Sequence, residues 1–179
     1  YDAAKLHASS TVMDFDVIFA HGIEFKEIKP AFEDTEFMLQ YYKKINSKII
    51  CYSHEAKYFY RKAEVHSSVT NNIRNNIDFY TTFFEKGIIP FVDNSFAESE
   101  KLEKYEQKII LEVTQWHLRT LFNNDDLFYS MVSEDKRDSL YGYYANIFSH
   151  IDVDVFRICK KFYPGSLGVI ICEQFYPVK

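Results

Sequence analysis

The chain has 179 residues, of which 47% are hydrophobic and 26% are charged, a composition that suits one globular domain with its own core. Only five glycines and four prolines are present, which disfavours a turn-rich β-sandwich, a collagen-like chain and disorder. The net charge of −5 provides no overall basic field, so direct nucleic-acid binding is disfavoured. No apolar run approaches the roughly 18 residues of a membrane span. Because the chain begins with Tyr1 rather than Met, we expect a processed or trimmed piece of a longer protein.

The first third of the chain predicts two helices. Apolar residues recur at helical spacing over 17–28, before Pro30, and again over 37–45. Between 48 and 65 the pattern blurs and is compatible with either helix or strand.

Two further stripes follow in the middle of the chain. The third predicted helix carries the first stripe and ends at Gly87, with Pro90 preventing its continuation. Ser95 and Ser99 are candidate N-caps for the fourth, which ends near Asn123. The stripes are, in turn, Val69, Ile73, Ile77, Tyr80, Phe84 and Leu102, Tyr105, Ile109, Val113, Trp116.

The longest stripe predicts one continuous helix over 140–162, stopped by Pro164 and Gly165. We expect its inward face to bury Leu140, Ile147, Ile151, Val155 and Phe162. A short apolar run over 168–172 is compatible with a strand or a buried tail. The predicted fold class is all-α, a single-domain helical bundle.

The sequence lacks the residue patterns of several common metal, phosphate-binding and catalytic sites. No two of the six histidines lie three or four residues apart, so no helix face offers a metal two imidazoles, and we predict no metal site. A glycine-rich phosphate loop and a nucleophile elbow are also missing from the sequence. Three cysteines without a CxxC pair predict reduced, buried thiols: Cys51, Cys159 and Cys172. A run of carboxylates predicts a solvated acidic face: Glu98, Glu100, Glu103 and Glu106.

Three segments resemble the heme oxygenase family, in its plant-plastid form. They are FKEIKPAFEDTEFM at 25–38, AESEKLEK at 97–104, and VSED at 132–135 followed by GYYANIFSH at 142–150. They occur in the family's order and cover about 18–162. The resemblance implies a helical bundle that holds heme between a proximal helix bearing a His ligand and a distal helix kinked at glycines. It also implies release of biliverdin, carbon monoxide and iron with electrons from ferredoxin or a reductase.

The sequence departs from the family at the positions that carry this chemistry. Lys29 stands in register with the proximal His, and Val153 and Asp154 stand where the family has its distal glycines. A lysine binds iron only as its neutral amine, which is scarce near neutral pH. Val153 and Asp154 predict a straight helix that fills the cleft, with Asp154 on its inward side.

Three other residues have a conceivable role by resemblance. His150 is retained as in the plant sequences, although a helical His with a backbone or water partner is the simpler explanation. Lys26 matches a basic position that can meet heme propionates, and it is also compatible with a solvated surface lysine. His21, two helical turns before Lys29, is a remote candidate for a replacement ligand.

The sequence therefore predicts a catalytically inactive, heme oxygenase-like pseudoenzyme without a cofactor. By resemblance it would reside in a plastid (apicoplast) and bind an unknown protein partner, with organelle maintenance or gene expression as the hypothetical role. The alternative is a divergent heme oxygenase or heme-binding protein with altered ligation. We expect an N-terminal extension over 1–16 and the helical domain over 17–179, without the family's last basic helix.

Overall fold

A computed structural model of the protein describes residues 7–45, 51, 53, 55–59, 73–122 and 125–158. In those parts of the chain all regular structure is helical and no β-strand occurs, so the predicted all-α, single-domain fold class is confirmed. The α-helices are α1 (Phe15–Ala20), α2 (Glu33–Lys44), α3 (Ile89–Ser99), α4 (Lys104–Phe122), α5 (Asp125–Met131), α6 (Glu134–Ser149) and α7 (Val153–Ile158). Short 3-10 turns lie at Ala8–Ser10, Ile73–Asn75 and Ile77–Phe79, and a π-helix, Phe83–Ile88, leads directly into α3.

The first helix is shorter than its periodicity predicts. α1 begins after Asp14, whose carboxylate caps the helix by accepting a backbone N–H two residues later at 2.9 Å. It ends at Ala20 because Gly22 adopts a left-handed φ of 59°. The Gly22 N–H donates to the Phe19 carbonyl and the Ile23 N–H to the Ile18 carbonyl, the pattern of a Schellman motif. The predicted helix over 17–28 is therefore wrong beyond residue 20, and residues 21–32 contain turns but no helix.

The end of this loop packs against the π-helix. Phe32 has a φ of 95°, which is rare for a residue with a β-carbon, and its buried ring meets the Phe83 ring edge-on at 5.7 Å between centroids. A β-carbon built on Gly87 would lie 2.8 Å from the Phe32 ring and 3.3 Å from Ile28. Gly87 thus allows a close approach of the loop, and its predicted role as a helix C-cap is wrong.

The helix also continues through Pro90, which was expected to stop it. Proline lacks an N–H and its ring crowds the carbonyl four residues earlier. The π-helix in front of Pro90 has wider turns, which give that carbonyl room. Since α3 extends to Ser99 and Ser95 is buried inside it, neither serine is the N-cap of α4.

The longest described helix, α4, is buried around most of its circumference over residues 104–118. Its predicted stripe is confirmed at Ile109 and Val113, whereas Trp116 is 39% exposed. A smaller apolar cluster joins Ala8, before α1, and Ile23, after α1, to three residues of α2: Phe37, Met38 and Tyr41. Among the described residues no helix is both long and apolar enough to cross a bilayer.

The predicted continuous helix over 140–162 is interrupted between α6 and α7. Gln107 of α4 holds the interruption, because its side-chain oxygen accepts the Asp152 N–H at 2.8 Å and its amide donates to the Asp152 carboxylate at 3.2 Å. The same amide donates to the Leu102 carbonyl at 2.9 Å. The Asp152 carbonyl then accepts the first hydrogen bond of α7, from Phe156.

Burial along this stripe nevertheless follows the prediction. Leu140, Ile147, Ile151 and Val155 are all buried. Phe162 lies outside the described residues, as do Cys159, Cys172 and the segments around 164–172; most of 48–65 is also outside them. Cys51 is exposed, so the expectation of a buried thiol is wrong there.

Candidate functional site

Lys29 lies in the loop between α1 and α2 rather than on a helix. Its side chain is 72% exposed, and its ammonium donates to the Glu27 carboxylate at 2.6 Å. This hydrogen bond raises the pKa of Lys29 and lowers the pKa of Glu27. Both shifts favour the charged forms, so Lys29 holds its proton and has no lone pair to offer iron.

Lys26 serves a buried carboxylate. Its ammonium hydrogen-bonds Glu36 Oε1, and the Gln40 side-chain amide donates to Glu36 Oε2 at 2.5 Å. The Glu36 side chain is only 3% exposed, so both carboxylate oxygens have a donor where water is excluded. Lys26 itself is 56% exposed, and its described contact explains it without a propionate.

His150 lies at the C-terminal end of α6. Its backbone N–H closes the last turn, and its ring packs against the Phe96 ring at 4.7 Å between centroids. His21 occupies the equivalent position at the end of α1 and is exposed. Neither imidazole shares a helix with Lys29, so the geometry that suggested His21 as a replacement ligand does not exist.

The two positions that correspond to the distal glycines lie in the first turn of α7. Val153 is half-buried and Asp154 is exposed. The expected inward carboxylate at Asp154 is therefore wrong, because the break before α7 turns this residue towards solvent. A continuous helix that fills the cleft is wrong for the same reason.

The residues with a role by resemblance lie on three separate parts of the fold: the loop before α2, the end of α6 and the first turn of α7. Lys29, in register with the proximal ligand, is 72% exposed, and Asp154, at a distal position, is also exposed. The one lysine in register with the proximal ligand is protonated and paired. The residues present therefore do not fit heme by the family's arrangement.

The structure instead has a cleft that the sequence did not reveal. It has a volume of about 200 Å³ and lies between the loop after α1, helix α2, and the junction of the π-helix with α3. Its charged lining consists of Lys26, Lys43, Lys44, Lys86, Glu36 and Glu98. Apolar surface comes from Ile23, Pro90 and Phe91. These residues come from separate segments, so no local motif could have announced the cleft.

Lys43 connects this cleft to the start of α4. Its ammonium lies 3.0 Å from Glu98, 3.8 Å from Glu106 and 5.2 Å from the centre of the Phe91 ring. Glu106 is buried, and burial raises its pKa. Its other oxygen accepts the Glu103 N–H at 2.8 Å, which caps α4. The predicted solvated acidic face is therefore wrong at Glu106, while its other three members are exposed.

A second feature that the sequence did not reveal is a buried histidine. His117 of α4 is fully buried among aromatic rings: Phe79, Tyr80, Phe83, Phe84 and Tyr144. Its Nε2–H donates to the Phe79 carbonyl at 3.0 Å, which leaves Nδ1 to accept the Tyr144 hydroxyl proton. Burial lowers the pKa of His117 to about 3, so the ring is neutral. The available signal was its position four residues after Val113 on the apolar stripe.

No group of three or more His, Cys, Asp or Glu within the described ranges could hold a metal ion. Comparisons with protein-family models, with curated proteins and with solved structures each yield no match.

Proposed function

We propose that the chain is a catalytically inactive, heme oxygenase-like pseudoenzyme, of the divergent kind found in malaria parasites, that acts as a binding scaffold in a relict plastid (apicoplast). The observation that carries the loss of activity is the geometry of Lys29. Its ammonium is exposed, paired with Glu27 and held in the charged form. A protonated amine cannot ligate iron, so the proximal half of the family's chemistry is missing.

A heme titration of the purified protein tests the first half of this proposal. We expect no saturable 1:1 Soret band, and Lys29→His alone should not create one because residue 29 lies on an exposed loop. Lys101→His, at another exposed position, measures adventitious coordination by a surface imidazole. A saturable band in Lys29→His but not in Lys101→His would contradict the proposal.

An exposed aromatic face on α1 supports the scaffold role. Phe15 and Phe19 stand one helical turn apart with rings 6.0 Å apart, and they are 70% and 79% exposed. Val12 beside them is fully exposed. Aromatic residues are enriched in protein–protein interfaces and at their energetic centres. We propose this face as the docking surface for a plastid protein that serves organelle maintenance or gene expression.

The partner test compares matched aromatic substitutions. The tagged protein is purified from the organelle as wild type, as Phe15→Ser with Phe19→Ser, and as Phe59→Ser, an exposed aromatic without a ring contact among the described residues. We expect the α1 variant alone to lose a defined set of gene-expression or maintenance proteins. Retention of the same proteins by all three would place the interface elsewhere and refute this docking surface.

One observation favours the alternative, a heme-binding protein with altered ligation. The break between α6 and α7 stands just before Val153, where the family bends its distal helix. A bent helix pair leaves more room at that position than a continuous helix. The distinguishing result is a 1:1 Soret band in the wild type that Lys29→Ala abolishes and that is accompanied by biliverdin formation with ferredoxin.

A further inference from the structure

The cleft between α2 and the π-helix junction carries more positive than negative charge, although the chain as a whole is negative. Four lysines line it against two carboxylates. The whole chain has a net charge of −5. The sign of charge is therefore inverted locally, in a concave place where electrostatic attraction of an anion is focused.

Two of the four lysines are already engaged. Lys26 binds Glu36, and Lys43 binds Glu98 at 3.0 Å with Glu106 at 3.8 Å. Two of the carboxylates, those of Glu36 and Glu106, are buried: each side chain is only 3% exposed. Such pairs hold the walls of the cleft in place before any ligand arrives.

The other two lysines are available. Lys44, at the end of α2, and Lys86, in the π-helix, are exposed, and neither makes a hydrogen bond or ion pair with a described residue. They approach the cleft from opposite elements. Each attracts a nearby carboxylate electrostatically, Glu98 for Lys44 and Glu27 for Lys86, without a direct contact. Two ammonium groups without a contact partner among the described residues suit a phosphate monoester, which carries about −1.5 to −2 near neutral pH.

The remaining lining sets the size and character of the ligand. Ile23, Pro90 and Phe91 offer apolar surface, and the exposed Asn94 adds a side-chain amide. The volume of about 200 Å³ is below the roughly 300–1,000 Å³ of pockets for drug-sized ligands. The cleft also borders a π-helix, a distortion that often occurs at functional sites.

We propose that this cleft binds a small organic phosphate monoester, with its phosphate held by Lys44 and Lys86 and its short carbon skeleton against Pro90 and Phe91. Lysine is a common point-charge partner of phosphate, and two lysines on separate elements can engage separate oxygens. This inference goes beyond the scaffold role and does not depend on it.

Isothermal titration at low ionic strength with glycerol 3-phosphate as the probe tests the site. Lys44→Gln with Lys86→Gln should weaken binding by between about 2-fold and 30-fold, the range for two exposed charge contacts. The control, Lys101→Gln with Lys136→Gln, removes the same charge from exposed positions outside the cleft and should bind as the wild type does. Circular dichroism verifies that each variant keeps its helical content.

Three results would overturn the assignment of a phosphate site to this cleft. They are the absence of measurable binding by the wild type, an equal loss in both double variants, and tighter binding of succinate than of glycerol 3-phosphate. The second would show that overall charge rather than the cleft attracts the anion, and the third would show a carboxylate site. Inorganic phosphate should bind more weakly than glycerol 3-phosphate, because it lacks the carbon skeleton that covers Pro90 and Phe91; equal affinity would refute that placement.

Discussion

Replacing Tyr144 by Phe removes a single hydroxyl from the buried aromatic cage around His117. That hydroxyl is the donor to His117 Nδ1, since the other ring nitrogen gives its proton to the Phe79 carbonyl at 3.0 Å. The variant leaves a fully buried nitrogen without a donor, while the ring and its packing stay the same. A buried acceptor left without a partner costs about 1–3 kcal/mol of unfolding free energy. For a chain of this length, that corresponds to a fall in Tm of about 2–12 °C.

The neighbouring tyrosine provides the matched control. The Tyr143 hydroxyl donates to Glu85 at 3.3 Å near the surface, where water can replace the lost contact. Tyr143→Phe deletes the same atom and should cost less than about 0.5 kcal/mol. Urea unfolding followed by circular dichroism measures both variants. Equal losses in Tyr143→Phe and Tyr144→Phe would refute the reasoning, because burial would then not be what makes the hydroxyl important.

Other perturbations give equally direct expectations. Gly87→Ala should lower the free energy of unfolding by about 1–3 kcal/mol, because the new methyl group would lie 2.8 Å from the Phe32 ring. Gly142→Ala, whose methyl group would have no atom within 4 Å, should raise it by up to about 1 kcal/mol. Chemical unfolding measures both. Gln107→Leu should cost about 2–4 kcal/mol by leaving the α6–α7 break without its hydrogen bonds, and hydrogen exchange should speed up most at the start of α7. Because the pKa of His117 is lowered to about 3, only the unfolded chain takes up this proton between pH 6.5 and 4.5. The free energy of unfolding should therefore fall by about 2 kcal/mol over that interval because of His117. His117→Phe should be less stable at pH 7 but lose less on acidification, and an unchanged pH slope would contradict the assignment.

The helices that periodicity predicted well contain neither glycine nor proline, so no local signal interrupts their apolar stripes. The segments over 37–45 and 102–116 extend beyond α2 and α4 by no more than two residues at either end, and the second stripe matches the observed burial at Ile109 and Val113. The end of α1 is also set locally, by the left-handed Gly22. This glycine could have been recognised in the sequence as a helix C-terminal signal, but the apolar spacing that continues to residue 28 favoured a longer helix.

The errors arose where distant residues decide the backbone. Ile147, Ile151 and Val155 keep helical spacing across the α6–α7 break, so their sequence pattern cannot reveal it. The break depends on Gln107, which lies 45 residues before Asp152. The cleft and the aromatic cage around His117 likewise combine side chains from several elements. Only the tertiary fold brings the four lysines to one cleft and the Tyr144 hydroxyl to His117.

The π-helix before α3 fixes the rotational phase of everything that follows it. Upstream, Phe83 and Phe84 are buried in the main core; downstream, Val92 and Ser95 are buried as well. An ordinary α-helix advances by about 100° per residue, so removing one residue from the wide turn would turn the two halves by that angle relative to each other. Such a deletion would therefore rotate α3 about its own axis and turn Val92 and Ser95 away from the core that Phe83 and Phe84 also enter.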